Sequence, residues 1–482
     1  MGPEPSVPAY QLLECDGERL LYHTSSRRFL SIDELAYAFL DLCRSCSVDQ
    51  AKRELVNRGA HCARQVESVA REVELLSREA LFQVPNDFIA GEHFEKQLQR
   101  RYSSPWNKLE LALSESCNLA CRYCYCGTCR DMPSQGMMTQ KVARQAITWL
   151  FAVSGRSKDV HITFFGGEPL LNKPVLRFAI EYSQRLGRLH RKRVFYSMTT
   201  NGTLLDDEAI EFIKRYNFGL MVSLDGPPEI HNAQCPTQDG QGSFDAAAGG
   251  IKKLMARRRA VTVRCTMAHP APRMLDLIRF FESFGFSRIV LGRTVNPIGA
   301  SPVDFTEEDF ASCDRQEREE LIPWMLGKLE AGETPKYYPY SAFVSRHEAG
   351  DSARGVNPFK CGACRGTMTV GADGTLYPCH RFVGMQAWRL GTVDVGPDYD
   401  RCKQFWRNYH VCVTSRCQTC WMQAECGGPC PWEIAKADGS FRLPTRTCQF
   451  IGQFLSRAAL FLARKQKISQ HGNGFLKTLS GS

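Results

Sequence analysis

The spacing of apolar and polar residues changes several times along the chain, and each change predicts a different kind of element. Three short apolar runs, at 11–15, 20–23 and 29–32, are split by Asp16-Gly17 and Ser25-Ser26. Gly and Asp or paired Ser between β-branched and aromatic runs is turn chemistry, so three strands are predicted. Asp33 then stands where an N-cap would start a helix over 34–42. Apolar residues at helical spacing predict two more helices over 48–58 and 66–76. The result is a β-β-β-α-α-α unit of about 80 residues, followed by a polar linker at 86–105.

From 109 to 291 the period alternates. Candidate strands at 109–113, 161–165, 194–198, 220–224, 261–266 and 288–291 enclose amphipathic stretches such as 140–150, 174–186 and 207–216. Strand-helix alternation means a parallel sheet, and six such units can wind into an open, partial (β/α)6 barrel of TIM-like type; an all-β sandwich is excluded. Residues 300–355 are polar, with a charged helix over 307–329, and are expected to connect. Between Cys361 and Cys448 there are many glycines and prolines, ten cysteines and few long apolar runs. Such a segment needs metal to fold. A basic amphipathic helix is expected over 451–467, with a loose tail beyond. The expected domains are therefore 1–85, the linker 86–105, a barrel at 106–299, a connection at 300–355, a cysteine-rich domain at 356–455, and a helix and tail at 456–482.

Composition narrows the class. With 43% apolar and 23% charged residues among 482, wholesale disorder, collagen and coiled coil are excluded. No run reaches the ~20 apolar residues of a membrane helix, and residues 1–8 lack a signal-peptide pattern. A soluble protein of the cytoplasm, without a membrane partner, is expected. The 61 basic against 51 acidic residues leave +10. That charge is spread thinly, and no aromatic-basic stripe marks a nucleic-acid reader. The 22 cysteines change the picture most. In a reducing compartment, cysteines at short fixed spacings read as metal or redox ligands.

Directly after the first barrel strand stands Cys117-x3-Cys121-x2-Cys124. Three thiolates on one loop can hold three irons of a four-iron cluster and leave the fourth open to a ligand. A closed zinc site completed by Cys126 or Cys129 is the alternative. The second strand runs into Gly166-Gly167-Glu168-Pro169, where glycines permit close backbone approach and Glu168 offers a carboxylate. Thr199-Thr200-Asn201-Gly202 follows the third strand and Ser223-Leu224-Asp225-Gly226 the fourth, so polar turns gather at one mouth. Near the other end, Cys417-x2-Cys420-x5-Cys426-x3-Cys430 is preceded by Cys361-x2-Cys364 and Gly374-x4-Cys379 and followed by Cys448. A zinc ribbon uses the same ligand type.

These motifs together resemble the radical S-adenosylmethionine (SAM) enzymes. The likeness implies that Cys117, Cys121 and Cys124 bind a [4Fe-4S] cluster and that Tyr123 lies beside the adenine. It implies that Gly166, Gly167 and Glu168 receive the methionyl amine, that Ser223, Asn201 and Arg264 contact ribose or carboxylate, and that a deoxyadenosyl radical takes a substrate hydrogen. The C-terminal block resembles the SPASM domain of peptide maturases. That likeness implies Cys361, Cys364, Cys379 and Cys430 around one [4Fe-4S] cluster and Cys417, Cys420, Cys426 and Cys448 around another, three clusters in all. Cys126, Cys129, Cys402 and Cys412 remain as reserve ligands. Cys235, in a loop where relatives carry arginine, is read as a plain loop cysteine, with a radical quencher as the alternative. The N-terminal unit resembles the PqqD-like winged-helix module that captures leader peptides, a nucleic-acid winged helix being the alternative. Cys379-His380-Arg381-Phe382 and the domain order resemble the maturases of quinohemoprotein amine dehydrogenase. That subfamily implies intrapeptide thioether bonds from cysteine to Asp or Glu side-chain carbons, a polypeptide partner, and a flavodoxin- or ferredoxin-type electron donor. Asp225 or Glu168 would take the thiol proton. Carbon-carbon crosslinking, formylglycine formation and a non-catalytic zinc adaptor are the rivals.

Overall fold

A computed structural model describes residues 10–15, 17–24, 27–78, 91–124, 136–257, 260–294, 301–348, 361–364, 366–409, 417, 420–436, 438–442 and 446–471. The first elements are β1 (Tyr10–Cys15), β2 (Glu18–His23) and β3 (Arg28–Ile32), paired antiparallel with Leu12 opposite Leu21 and Leu21 opposite Leu30. Three helices follow: α1 (Glu34–Leu42), α2 (Val48–Asn57) and α3 (Ala63–Arg78). Asp33 caps α1 by accepting from the Ala36 N–H at 2.7 Å, and Ser47 caps α2. Alternation along β2 splits its burial between two cores. Leu21 packs with Leu12, Phe39, Leu55 and Val66, whereas Leu20 and Tyr22 join Phe29 in the main core of the chain.

The expected linker contains a helix, α4 (Gly91–Tyr102). Phe94 and Leu98 are both 1% exposed and sit one turn apart, so an apolar stripe inside polar sequence anchors this segment to the main core.

The six parallel strands lie where the alternation places them. They are β4 (Lys108–Ser114), β5 (Asp159–Gly166), β6 (Arg193–Thr200), β7 (Gly219–Ser223), β8 (Thr262–Met267) and β9 (Arg288–Arg293), each paired with the next. Between them run α5 (Gln140–Val153), α6 (Lys173–His190), α7 (Asp207–Arg215), α8 (Pro228–Gln234), α9 (Phe244–Arg257) and α10 (Met274–Phe284). On β5 the fully buried Val160, Ile162 and Phe164 alternate with the half-exposed His161, Thr163 and Phe165. One face thus meets helices and the other an accessible lumen.

The sheet does not stop at six strands. β10 (Thr369–Val370) adds parallel to β4, and β11 (Thr375–Tyr377), β12 (Gly391–Thr392) and β13 (Gly396–Pro397) continue antiparallel, giving a mixed sheet of ten. Strands of two or three residues carry no readable period. The charged helix expected over 307–329 is α11 (Glu307–Gln316), one π-turn at Glu317–Leu321, and α12 (Ile322–Glu330). A further helix, α13 (Tyr338–Glu348), occupies the expected connection. Buried Glu317 accepts from the Arg457 Nε at 2.8 Å and the Tyr340 hydroxyl at 3.0 Å, which fixes this segment beneath the last helix. After α14 (Tyr399–Tyr409) comes α15 (Arg446–His471), longer at both ends than predicted and carrying Cys448 in its first turn. Among the described residues no helix is long and apolar enough to cross a membrane.

Candidate active site at the carboxyl end of the barrel sheet

The loop leaving β4 carries Cys117, Cys121 and Cys124, all half-buried. Polar groups from three directions hold it. Gln238 donates to the carbonyls of Cys117 at 3.0 Å and Leu119 at 2.8 Å. Asn201 donates through Nδ2 to Asn118 at 2.9 Å and lies 3.7 Å from the Cys117 sulfur, while Asn118 donates to Thr203 at 2.8 Å. The Asn201 oxygen accepts from the Thr203 N–H and hydroxyl. Asn201 therefore acts on the thiol loop in addition to any ligand.

Gly166 and Gly167 face backbone. A Cβ on Gly166 would fall inside the Ser114 carbonyl oxygen and one on Gly167 inside that of Ser116; Gly166 also has φ of 141°. The glycines let the end of β5 lie directly against the thiol loop, where the Gly167 N–H donates to Ser114 at 2.7 Å and the Glu168 N–H to Ser116 at 3.0 Å. Glu168 is fully buried. Its carboxylate accepts from the Thr200 hydroxyl (2.8 Å), the Leu170 N–H (3.1 Å) and the Asn201 N–H (2.8 Å), and burial raises its pKa to about 7.

Across the mouth, Asp225 is 1% exposed. It accepts from the Tyr123 hydroxyl at 2.7 Å and the Thr266 N–H at 2.8 Å, and burial raises its pKa to about 6 against those bonds and the Arg264 charge. Burial also lifts the Tyr123 phenol well above its ordinary range, with the neighbouring Asp225 charge adding to it. Arg264 extends over Gly292, where a Cβ would stand 2.9 Å from its guanidinium. Ser223 ends β7 in register with Arg264 on β8. Cys235 is no isolated loop residue: it is 3% exposed and disulfide-paired with Cys121, the middle cysteine of the expected cluster loop. Disulfide bonding and iron ligation exclude each other at one sulfur. Ligand atoms of Asp225, His231 and Cys235 also lie within 4.8 Å of one another. His231, however, accepts the Asp225 N–H at Nδ1 and meets Ser243 at Nε2, and burial lowers its pKa to about 4, so it stays a neutral scaffold.

A second thiol set gathers where β10 and β11 join the barrel sheet. Burial raises the Cys364 thiol well above its ordinary range, and Cys402, Cys379 and Cys361 each add to that. Cys379 likewise lies in the field of Cys430 and Cys361. The four cysteines expected around one cluster are thus neighbours, with Cys402 a fifth. Soft thiolates in such number suit an iron-sulfur cluster. The Cys420 N–H donates to Cys417 at 3.1 Å and the Cys426 N–H to Met422 at 2.7 Å, and the helix that carries Cys448 packs on this segment at Gly452, where a Cβ would stand 3.0 Å from the Met422 sulfur. Cys126, Cys129 and Cys412 lie outside the described residues.

Residues 111–291 match the model of the Radical SAM superfamily. This segment is a radical SAM domain. The cysteine-type anaerobic sulfatase-maturating enzyme of Clostridium perfringens is 26% identical over 320 residues, 60% of this chain and 78% of the relative. The radical SAM cyclopropyl synthase TigE of Paramaledivibacter caminithermalis is 21% identical over 365 residues, 72% of this chain and 73% of the relative. The solved structure of native anSMEcpe with bound AdoMet superposes with a TM-score of 0.62 at 21% identity, over 75% of this chain and all but 1% of the other, which establishes likeness of fold. The chain is an enzyme of radical-mediated oxidative modification. The radical SAM domain carries its thiol loop, its glycine pair, Glu168 and Asp225 at one end of the sheet.

Sequence reasoning did not find Asn118, Thr203, Gln238 or Glu110. Asn118 directly follows Cys117 and Thr203 closes the Asn201 turn, so both carried a positional signal. Glu110 carried none. It lies on β4, 7% exposed, and its carboxylate takes the His380 ring nitrogen at 3.0 Å and the Thr369 hydroxyl at 2.5 Å. The imidazole in turn stacks on Phe165 at 4.1 Å, so the radical SAM domain and the C-terminal cysteine segment are joined side chain to side chain.

Proposed function

We propose that the chain is a peptide maturase forming intrapeptide thioether bonds between cysteine sulfur and side-chain carbons of Asp or Glu in a ribosomally made polypeptide. The observation that carries this reading is the three-stranded N-terminal sheet packed, through Leu20, Tyr22 and Phe29, on the same core as the barrel strands and as Cys364, Cys379 and Cys430. Among the described residues β1 and β3 are its edges, and an edge strand can take an extended peptide by strand addition. A winged-helix module at 1–85 and a SPASM domain at 356–455 belong to this proposal.

Cys117, Cys121 and Cys124 would hold one [4Fe-4S] cluster, and the two C-terminal groups of four thiols would hold two more, closed to ligands. When bound, the first cluster and SAM supply the hydrogen-abstracting chemistry. Tyr123, Ser223 and Arg264 line the mouth where SAM would sit, and Glu168 with Asn201 fixes the thiol loop beside it. Asp225 takes the substrate thiol proton at Oδ2, with the Tyr123 hydroxyl holding that carboxylate in place. Each crosslink removes two hydrogens, one as an atom and one as a proton, and one electron leaves for an acceptor. A flavodoxin- or ferredoxin-type donor supplies the starting electron.

A second reading, oxidation of a serine or cysteine, draws on the sulfatase-maturating relatives. One experiment separates them. The chain is purified anaerobically, loaded to about twelve irons, reduced, and given SAM with a co-expressed cysteine-bearing peptide. Methionine and deoxyadenosine are expected, with a peptide two hydrogens lighter and one alkylatable thiol fewer per crosslink. Release of the peptide sulfur would favour the second reading; a colourless zinc protein would overturn both.

A further inference from the structure

Cys121 and Cys235 face each other for a backbone reason. The Ala120 N–H donates to Pro236 at 2.7 Å and the Arg122 N–H to Gln234 at 2.8 Å, and Leu119 forms an antiparallel bridge with Thr237. These bonds bracket Cys121 and Cys235 as a cross-strand pair of the kind whose side chains stand closest. The Cys235 sulfur also lies 3.2 Å from the Tyr123 oxygen and 3.3 Å from Asp225 Oδ2. The Ser243 hydroxyl bonds the Cys235 carbonyl, and Asn232 takes the Phe244 N–H at 2.9 Å, so the strand bearing Cys235 is held from behind.

We propose that Cys121 and Cys235 are a reversible dithiol-disulfide couple that controls loading of the barrel-mouth cluster. The inference rests on the reading of Cys121 as an iron ligand. When the iron is absent and dioxygen present, the two thiols lose two protons and two electrons, an S–S bond forms, and dioxygen becomes hydrogen peroxide. Cys121 is then withdrawn from ligation. A dithiol reductant reverses the step by exchange, becoming a disulfide itself and returning both thiols. The ladder keeps the partners together in either state, so Cys117 and Cys124 stay out of the bond. Oxidation that would otherwise carry a naked ligand thiol up to irreversible acids is diverted into a recoverable form.

The test uses the full chain. Iron is chelated, the sample is exposed to air, free thiols are blocked with iodoacetamide, and the protein is digested without reductant for mass spectrometry. A single crosslink joining the peptides of Cys121 and Cys235, two hydrogens lighter than their sum, is expected, and it should vanish after dithiothreitol and be absent from anaerobic, iron-loaded chain. In Cys235→Ser, Cys121 should instead be recovered after the same exposure as sulfinic or sulfonic acid that dithiothreitol does not return to an alkylatable thiol. Absence of the crosslink, or pairing of Cys121 with Cys117 or Cys124, overturns the proposal. SAM cleavage by the loaded enzyme is scored separately: its failure would sink the function proposed above while leaving a mapped crosslink standing.

Discussion

The two thiol sets are built by opposite means. The loop of Cys117, Cys121 and Cys124 hangs from polar side chains, with Gln238, Asn201 and Asn118 supplying its bonds, and opens onto the mouth of the barrel. In the group of Cys361, Cys364, Cys379 and Cys430, all but the exposed Cys361 are pressed into apolar and aromatic packing. Cys364 is fully buried, and Trp406 donates to the adjoining Ala363 carbonyl at 2.7 Å. A site that must admit a ligand cannot be sealed by core, so its geometry is left to hydrogen bonds. A site that only stores charge can be sealed, and gains rigidity from it.

That contrast can be broken by four substitutions, in falling order of effect. Cys117→Ala should abolish deoxyadenosine formation while about eight of about twelve irons remain, measured by product chromatography and iron assay; loss of all iron would show that the two sets are not independent. Trp406→Ala should cost about 3–5 kcal/mol of unfolding free energy and strip iron from the C-terminal set first, read by denaturation and electron paramagnetic resonance. Asp225→Asn should slow crosslinking about 10²–10⁴-fold. The wild-type rate should rise with pH through about 6, because the carboxyl must lose its proton before it can accept one, and the variant should lack that limb. Glu110→Gln should cost about 1–3 kcal/mol. His380 and Thr369 would lose their shared carboxylate, and since His380 stands next to Cys379 the reduction midpoint of the C-terminal set should move while that of the barrel-mouth set should not.

Long, strongly periodic elements were legible in the sequence. All six barrel strands and the opening β-β-β-α-α-α order follow from period alone, because each buries one face and leaves a polar one. Asp33 and the turn dipeptides supplied the boundaries. The helix at Gly91–Tyr102 was hidden because Phe94 and Leu98 are too few to stand out among charges, and β10 to β13 because pairs of residues have no period. At the candidate site, residue types and order along the chain could be read, but not the partners that come from distant loops. Cys235 meets Cys121 from 114 residues away through a backbone ladder, and Glu110 meets His380 across the sheet. Glu168 was legible as a carboxylate at the mouth, whereas its enclosure by three donors depends on where β6 ends.

The first sheet is fastened to the far end of the chain. Tyr22 stacks edge-on with Trp421 at 5.5 Å, Phe29 meets Phe343 at 5.7 Å, and the sheet also touches the last helix. A polypeptide gripped there would not be reeled in on a tether. Its residues would be counted off from a fixed post, as on a ruler, so that distance along the substrate selects the carbon that reaches the mouth.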